Sequence, residues 1–273
     1  MTGKGAKPCR SFGIFALVLY AHIACPDLRA QGQPVRVAAA ADLKFAMQEI
    51  SAQFERQTGT SVNVTYGSSG NFYSQIQSGA PFDLFFSADI DFPRKLEAAG
   101  VSEPGTLFEY AVGRIVIWTP ADAKVDASKD GWETLLNSAV QKIAIANPAH
   151  APYGRAAVAA LQKAMIYEQL KSKLVFGENI SQAAQFVQSG SAQAGIIAKS
   201  IALSPAMKGG KQWEISQEMY PPIEQGAILL KTAKNKTGAL AFLEIVRSKT
   251  GREILEKYGF AIPGTSLPQK ADK

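Results

Sequence analysis

From Val35 onward the chain alternates short apolar runs with amphipathic segments of helical spacing, and this alternation restricts it to an α/β architecture. Residues 35–39 read as a buried strand. Residues 43–57 follow with Leu43, Ala46, Met47, Ile50 and Phe54 on one helical face. Further strands are expected over 61–66, 84–86, 114–118, 142–146, 173–176, 194–197 and 226–230. Helices are expected over 71–77, 92–99, 154–165, 181–188, 237–247 and 251–258, with Gly100 and Gly190 closing two of them. Strands joined through helices pair in parallel, so mostly parallel sheets are expected. Ligands of such sheets gather at the carboxyl ends of strands, where loops lead into helices.

The first thirty residues carry a different pattern. Lys4, Lys7 and Arg10 precede an apolar stretch over 12–24, and Leu28-Arg29-Ala30 follows. A basic head, an apolar middle and a small residue form an export signal, here cut after Ala30. The stretch is short for a membrane span. Lipoprotein processing at Cys25 ranks second, because His22 stands where an aliphatic residue belongs. Removing residues 1–30 takes away four basic residues and Asp27, and the net charge falls from +6 to +3. No basic stripe remains for a nucleic acid. Cys9 and Cys25 also lie in this segment, so the mature chain has no thiol for a nucleophile, a zinc site or a disulfide.

Three strand-to-helix junctions carry polar or small residues suited to a ligand. The first is Ala38-Ala39-Ala40-Ala41-Asp42-Leu43, with Asp42 at an expected helix N-cap. The second is Tyr66-Gly67-Ser68-Ser69-Gly70-Asn71. The third runs from Asn147 through His150, Pro152, Tyr153 and Gly154 to Arg155. Helix starts present unpaired N–H groups at a positive dipole end and bind anions without a charged side chain. Each junction alone is also an ordinary set of capping residues. There is no metal-ligand spacing, no nucleophile elbow and no phosphate loop. His150 is the one histidine left after residue 30, and a solvated turn is its plainest role. Asp83 and Asp89 bracket a strand and read as capping or bridging carboxylates rather than an acid–base pair. No enzyme activity is expected.

The segments "VAAAADLKFAMQEI", "YGSSGNFYSQIQSGAPFDLFFSAD", "NPAHAPYGRAA", "QFVQSGSAQAGI" and "GREILEKYGF" occur in this order over residues 35–260. In that order they resemble the periplasmic molybdate-binding proteins, the solute receptors of molybdate ABC importers. The resemblance implies a type II periplasmic-binding-protein fold, with two α/β lobes, mostly parallel central sheets and two crossover strands. Lobe I would take 35–111 and 226–270, and lobe II 112–225, after a signal peptide over 1–30. The implied ligand is molybdate, possibly tungstate, with no separate cofactor. The implied partner is the membrane permease of the importer, for a periplasmic and monomeric receptor. By position, the ligand-binding residues would be Ala41, Asp42, Ser68, Ser69, Tyr153, Gly154 and Ile180. Asp42, Ser69, Tyr153 and Ile180 would meet the oxyanion of the metal rather than a bare cation.

Two departures follow. Asp42 stands where many members carry serine, and Ala198 stands where some carry tyrosine, so Tyr153 is left to supply a phenol. Three roles stay open for Asp42. It can cap its helix through the amide of Lys44 or Phe45. It can accept a proton from a protonated oxyanion, such as hydrogen phosphate or hydrogen arsenate, and so select against sulfate. It can bind the metal centre of an oxometalate directly. In each case Lys44 and Arg155 are placed to offset its charge. A small organic anion and a sensing role are the alternative functions.

Overall fold

The computed structural model describes residues 1–3 and 33–264. The expected signal peptide, its cut after Ala30, the alternative at Cys25 and the end of lobe I beyond 264 lie outside the described residues. Among the described residues no helix is long and apolar enough to cross a membrane.

The chain opens with β1 (Val35–Ala40), a 3-10 turn (Ala41–Leu43), α1 (Lys44–Thr58), β2 (Val62–Gly67), α2 (Ser69–Gln77), β3 (Leu84–Ser87) and α3 (Asp91–Ala98). Then come β4 (Phe108–Gly113), β5 (Ile115–Thr119), α4 (Ala127–Asp130), α5 (Glu133–Leu136), β6 (Ile143–Ala146) and α6 (Pro152–Lys163). Next are α7 (Tyr167–Leu170), β7 (Leu174–Gly177), α8 (Ile180–Gln188), β8 (Ala194–Ala198), α9 (Lys199–Ala202) and β9 (Lys211–Glu214). The chain returns through β10 (Ile223–Leu229) and ends on α10 (Lys236–Arg247) and α11 (Lys249–Lys257).

The strands form two five-stranded sheets, ordered β2-β1-β3-β10-β4 and β7-β6-β8-β5-β9. Each sheet with its helices is called a lobe below. The expected mostly parallel sheets are corrected to mixed ones. β1 is parallel to β2 and β3, and β6 to β7 and β8, whereas β10 and β5 are antiparallel to both of their neighbours. The cause is the passage between lobes. β4 runs into β5 through Arg114, so β5 enters the second sheet from the end where β6 and β8 finish. β10 re-enters the first sheet the same way. Gly113 pairs with Ile223 and Ala111 with Gln225 inside the first sheet, so the chain changes sheets at Arg114 and again between β9 and β10.

Apolar periodicity places the cores. In lobe I, Leu43, Met47, Ile50 and Phe54 of the first helical face pack with Phe242 and Leu243 of α10 on one side of the sheet. Phe54 and Phe242 meet edge to face at 5.2 Å. Phe72, Ile76, Phe85 and Leu96 fill the other side. In lobe II, Ile115, Ile117, Ile143 and Ile145 are fully buried beneath α6 and α8. β4 and β9 escape a reading by periodicity, because β4 is irregularly buried and β9 (Lys-Gln-Trp-Glu) is half-exposed at a sheet edge.

Candidate functional site

In lobe I the carboxyl ends of β1, β2 and β3 deliver the 3-10 turn, the start of α2 and Ala88 to one place. Ser69 is the first residue of α2 and fully buried. Its Oγ accepts a hydrogen bond from the Ala88 amide at 2.9 Å, which leaves the hydroxyl proton free to be donated elsewhere. Ser68 precedes it in extended conformation, with its Oγ 3.0 Å from His150 Nδ1 of lobe II.

Lobe II contributes two helix starts. α6 begins with Pro152 at its first position, where a missing N–H costs nothing, and Tyr153 follows. α8 begins at Ile180. Asn179 caps it, accepting from the amides of Ser181 and Gln182 and leaving that of Ile180. First-turn amides have no intrahelical carbonyl. Those of Ser69, Tyr153 and Ile180 have no hydrogen-bond acceptor among the described residues.

These groups line one narrow cavity, bounded by Ala40, Ala41, Asp42, Gly67, Ser68, Ser69, Ala88, Ala151, Pro152, Tyr153, Asn179 and Ile180. Six of the seven positions singled out from the sequence are therefore brought together. Gly154 is set apart. Its amide donates to the Ala151 carbonyl at 3.0 Å, and a Cβ there would lie 2.2 Å from the Ala146 carbonyl oxygen. Its lack of a side chain lets α6 pack on the end of β6. The Asp42 carboxyl is the one ionisable acid among the lining groups.

The expected N-cap role of Asp42 is overturned. The helical path starts two residues earlier, with Ala40 in the cap position, and neither Ala40 nor Leu43 makes a side-chain cap. Asp42 instead sits inside the 3-10 turn, 1% exposed. Its Oδ2 accepts from the Tyr153 hydroxyl at 2.8 Å and from Gln225 Nε2 at 2.7 Å. Its Oδ1 is buried with no partner. Burial pushes the carboxyl up to about 6, against the pull of Gln225, Tyr153 and the nearby amides of Asp42 and Leu43. Lys44 lies over the Phe45 ring and Arg155 pairs with Asp89, so neither offsets this charge by contact.

Gln225 joins a second phenol to the cluster. Tyr110 Oη donates to Gln225 Oε1 at 2.8 Å, and burial holds both the Tyr110 and Tyr153 phenols well above 10. The phenol of Tyr153, expected to replace a tyrosine at Ala198, is thus spent on Asp42. Gly113 makes the cluster possible, since a Cβ there would lie 2.2 Å from the Tyr153 hydroxyl. Sequence reasoning missed Gln225 and Tyr110. The available signal was a glutamine at an inward position of β10, between the exposed Glu224 and the buried Gly226.

Other contacts tie the lobes around the cavity. The Gly70 amide donates to the His150 carbonyl at 3.0 Å, and the Ser200 hydroxyl donates to the Asp42 carbonyl at 2.8 Å. At the rim, Arg155 meets Asp89, and Asn71 Nδ2 donates to Glu178 at 2.5 Å. Asp83 stands apart, at the opposite end of β3. Burial would raise its carboxyl, but the Arg36 guanidinium at 2.7 Å and the amides of Arg36 and Lys234 leave it lowered. Asp83, Asp89 and His150 therefore do not converge on one cleft.

The family described as bacterial extracellular solute-binding protein matches residues 35–261. The molybdate-binding protein ModA of Rhodobacter capsulatus is 40% identical, over 91% of this chain and 95% of its own length. ModA of Escherichia coli is 32% identical, over 84% of this chain and 89% of its own length. The solved periplasmic molybdate-binding protein of Azotobacter vinelandii superposes with a TM-score of 0.79 at 31% identity, covering 84% of this chain and 99% of that structure.

Proposed function

Because the chain belongs to the bacterial extracellular solute-binding proteins, we propose that it captures molybdate, and tungstate as its near equivalent, between its two lobes in the periplasm. The loaded protein then hands the oxyanion to the membrane permease of an ABC importer. The observation that supports this reading is the convergence of three free helix-start amides and the Ser69 hydroxyl on one cavity between the lobes. Such donors hold a tetrahedral dianion by its oxygens and spread its charge over helix dipoles. No lysine or arginine lines the cavity, so selection rests on the fixed placement of neutral donors rather than on net charge. The two crossings at Arg114 and between β9 and β10 are placed for a hinge that opens and closes the lobes.

Thermal melting of the protein from Gln31 onward tests the proposal. Molybdate at about a hundred times its dissociation constant adds about 2.7 kcal/mol by mass action, which is roughly 5–10 °C for a domain of this size. The same concentration of sulfate leaves the melting temperature unchanged. A rise with phosphate, arsenate or a small organic anion but none with molybdate or tungstate would overturn the proposal.

A further inference from the structure

Asp42 presents a conflict that the other lining residues do not. A carboxylate and a dianion in one dry cavity repel each other strongly. The carboxyl is nevertheless held in place from three elements: Tyr153 on α6, Gln225 on β10, and Ser200 on α9 through the main-chain carbonyl. Both side-chain donors converge on Oδ2; the amides of Asp42 and Leu43 draw on the carboxyl from nearby, but neither reaches hydrogen-bond geometry with Oδ1. A buried acceptor without a donor is costly to maintain. A proton on Oδ1 removes both costs, because it neutralises the group and turns the orphan acceptor into a donor.

We propose that the protein binds its oxyanion together with one proton, held on the Asp42 carboxyl with Oδ1 as the atom left to carry it. This deepens the molybdate reading and rests on it. The anion oxygen accepts from Oδ1–H while Oδ2 keeps its bonds to Tyr153 and Gln225. The proton comes from bulk solvent, and no covalent bond is made or broken within the ligand.

The surroundings leave Asp42 as the group that titrates. Tyr153 and Tyr110, the phenols facing it from α6 and β4, stay neutral because burial raises both well above 10. No lysine, arginine or histidine contributes to the upward displacement of Asp42, whose leading cause is burial. The neighbouring polar and charged groups are engaged at the rim: His150 lies against Ser68 and Glu178, and Arg155 pairs with Asp89. Burial holds the carboxyl at about 6. A dianion beside it moves it further up, so at pH 7–8 binding takes up a proton that the free protein lacks.

Calorimetric titration of molybdate, a dianion at this pH, in buffers of different ionisation enthalpy counts the protons directly. The expected result at pH 7.5 is an uptake approaching one proton per molybdate, with affinity falling up to about tenfold per pH unit between pH 7 and 8. In Asp42→Asn the uptake disappears and the affinity becomes flat with pH, because the amide supplies a donor at every pH. In His150→Gln the uptake persists, whatever the affinity. A wild-type uptake of zero, or an uptake unchanged in Asp42→Asn or lost in His150→Gln, would overturn the proton-linked site. The wild-type count stands alone if Asp42→Asn fails to fold. Tight, pH-independent binding of molybdate would overturn this inference and leave the molybdate reading intact, whereas no binding of molybdate or tungstate would overturn both.

Discussion

The lobes meet through two sets of contacts that differ in kind. At the rim the contacts end on solvent-washed carboxylates: the Arg155 and Asp89 side chains are 43% and 24% exposed, and the Glu178 side chain is 58% exposed. Around the cavity the contacts are made by buried, neutral donors: Gly70 on the His150 carbonyl, Ser200 on the Asp42 carbonyl, Tyr153 and Gln225 on Asp42. Exposed ion pairs contribute about 0–1 kcal/mol, whereas a buried group that loses its partner costs about 1–3 kcal/mol. Closure and ligand retention are therefore governed by the inner set, and the rim adjusts them only slightly.

The sharpest way to break the inner set without touching a side chain is Gly70→Ala. The new Cβ would lie 2.7 Å from the His150 carbonyl oxygen and 3.0 Å from its Cβ, across the junction of the lobes. Little there can yield except the lobes themselves. Overpacking of this kind costs about 1–3 kcal/mol, so molybdate affinity should fall up to about 100-fold. Alanine suits a helix better than glycine, so the melting temperature without ligand should hold or rise. Isothermal calorimetry alongside melting separates the two effects; a fall in both would place the damage in lobe I rather than in closure.

Ser69→Ala removes one donor while leaving the lobes free to close. A hydrogen bond to a charged group contributes about 1.5–3 kcal/mol, so affinity should fall about 10–100-fold, with the lower part of that range expected because the backbone amides remain. The Ala88 amide also loses its acceptor, which lowers the melting temperature without ligand by a few degrees. Unchanged affinity for molybdate would remove Ser69 from the binding set.

Much of this was legible beforehand, for identifiable reasons. Helix starts announce themselves nearly in place: Pro152 and the Gly67-Ser68-Ser69 run are local signals, but the starts expected at 154 and 71 fall late, because Pro152 and Ser69 are themselves the first helical residues. The same logic failed at Asp42. Its sequence position is that of an N-cap, but its partners Tyr153 and Gln225 are 111 and 183 residues away. No window on the sequence can show that a carboxyl prefers two distant donors to its own helix. The antiparallel strands were missed for a related reason. The direction of β10 is set by the return from the other lobe, not by anything within Ile223–Leu229.

The rim gives the smallest expected effect and the cleanest control on the whole comparison. Arg155 pairs with Asp89 and lies 5.9 Å from the centroid of the Phe92 ring, joining α6 to the loop after β3 and to α3. It is the rim contact that most resembles a latch, since it carries full charge and spans the lobes. Its exposure works against it. Solvent screens the pair, and ordering a long side chain offsets much of the attraction, so its loss should cost no more than about 1 kcal/mol. Arg155→Ala should weaken molybdate binding less than about fivefold at low salt, and the difference should shrink in 0.5 M sodium chloride, about the range where exposed charges stop sensing one another. A loss as large as that of Gly70→Ala, or one that salt leaves intact, would mean that the lobes are held at their edge, and the ranking of inner over outer contacts would have to be reversed.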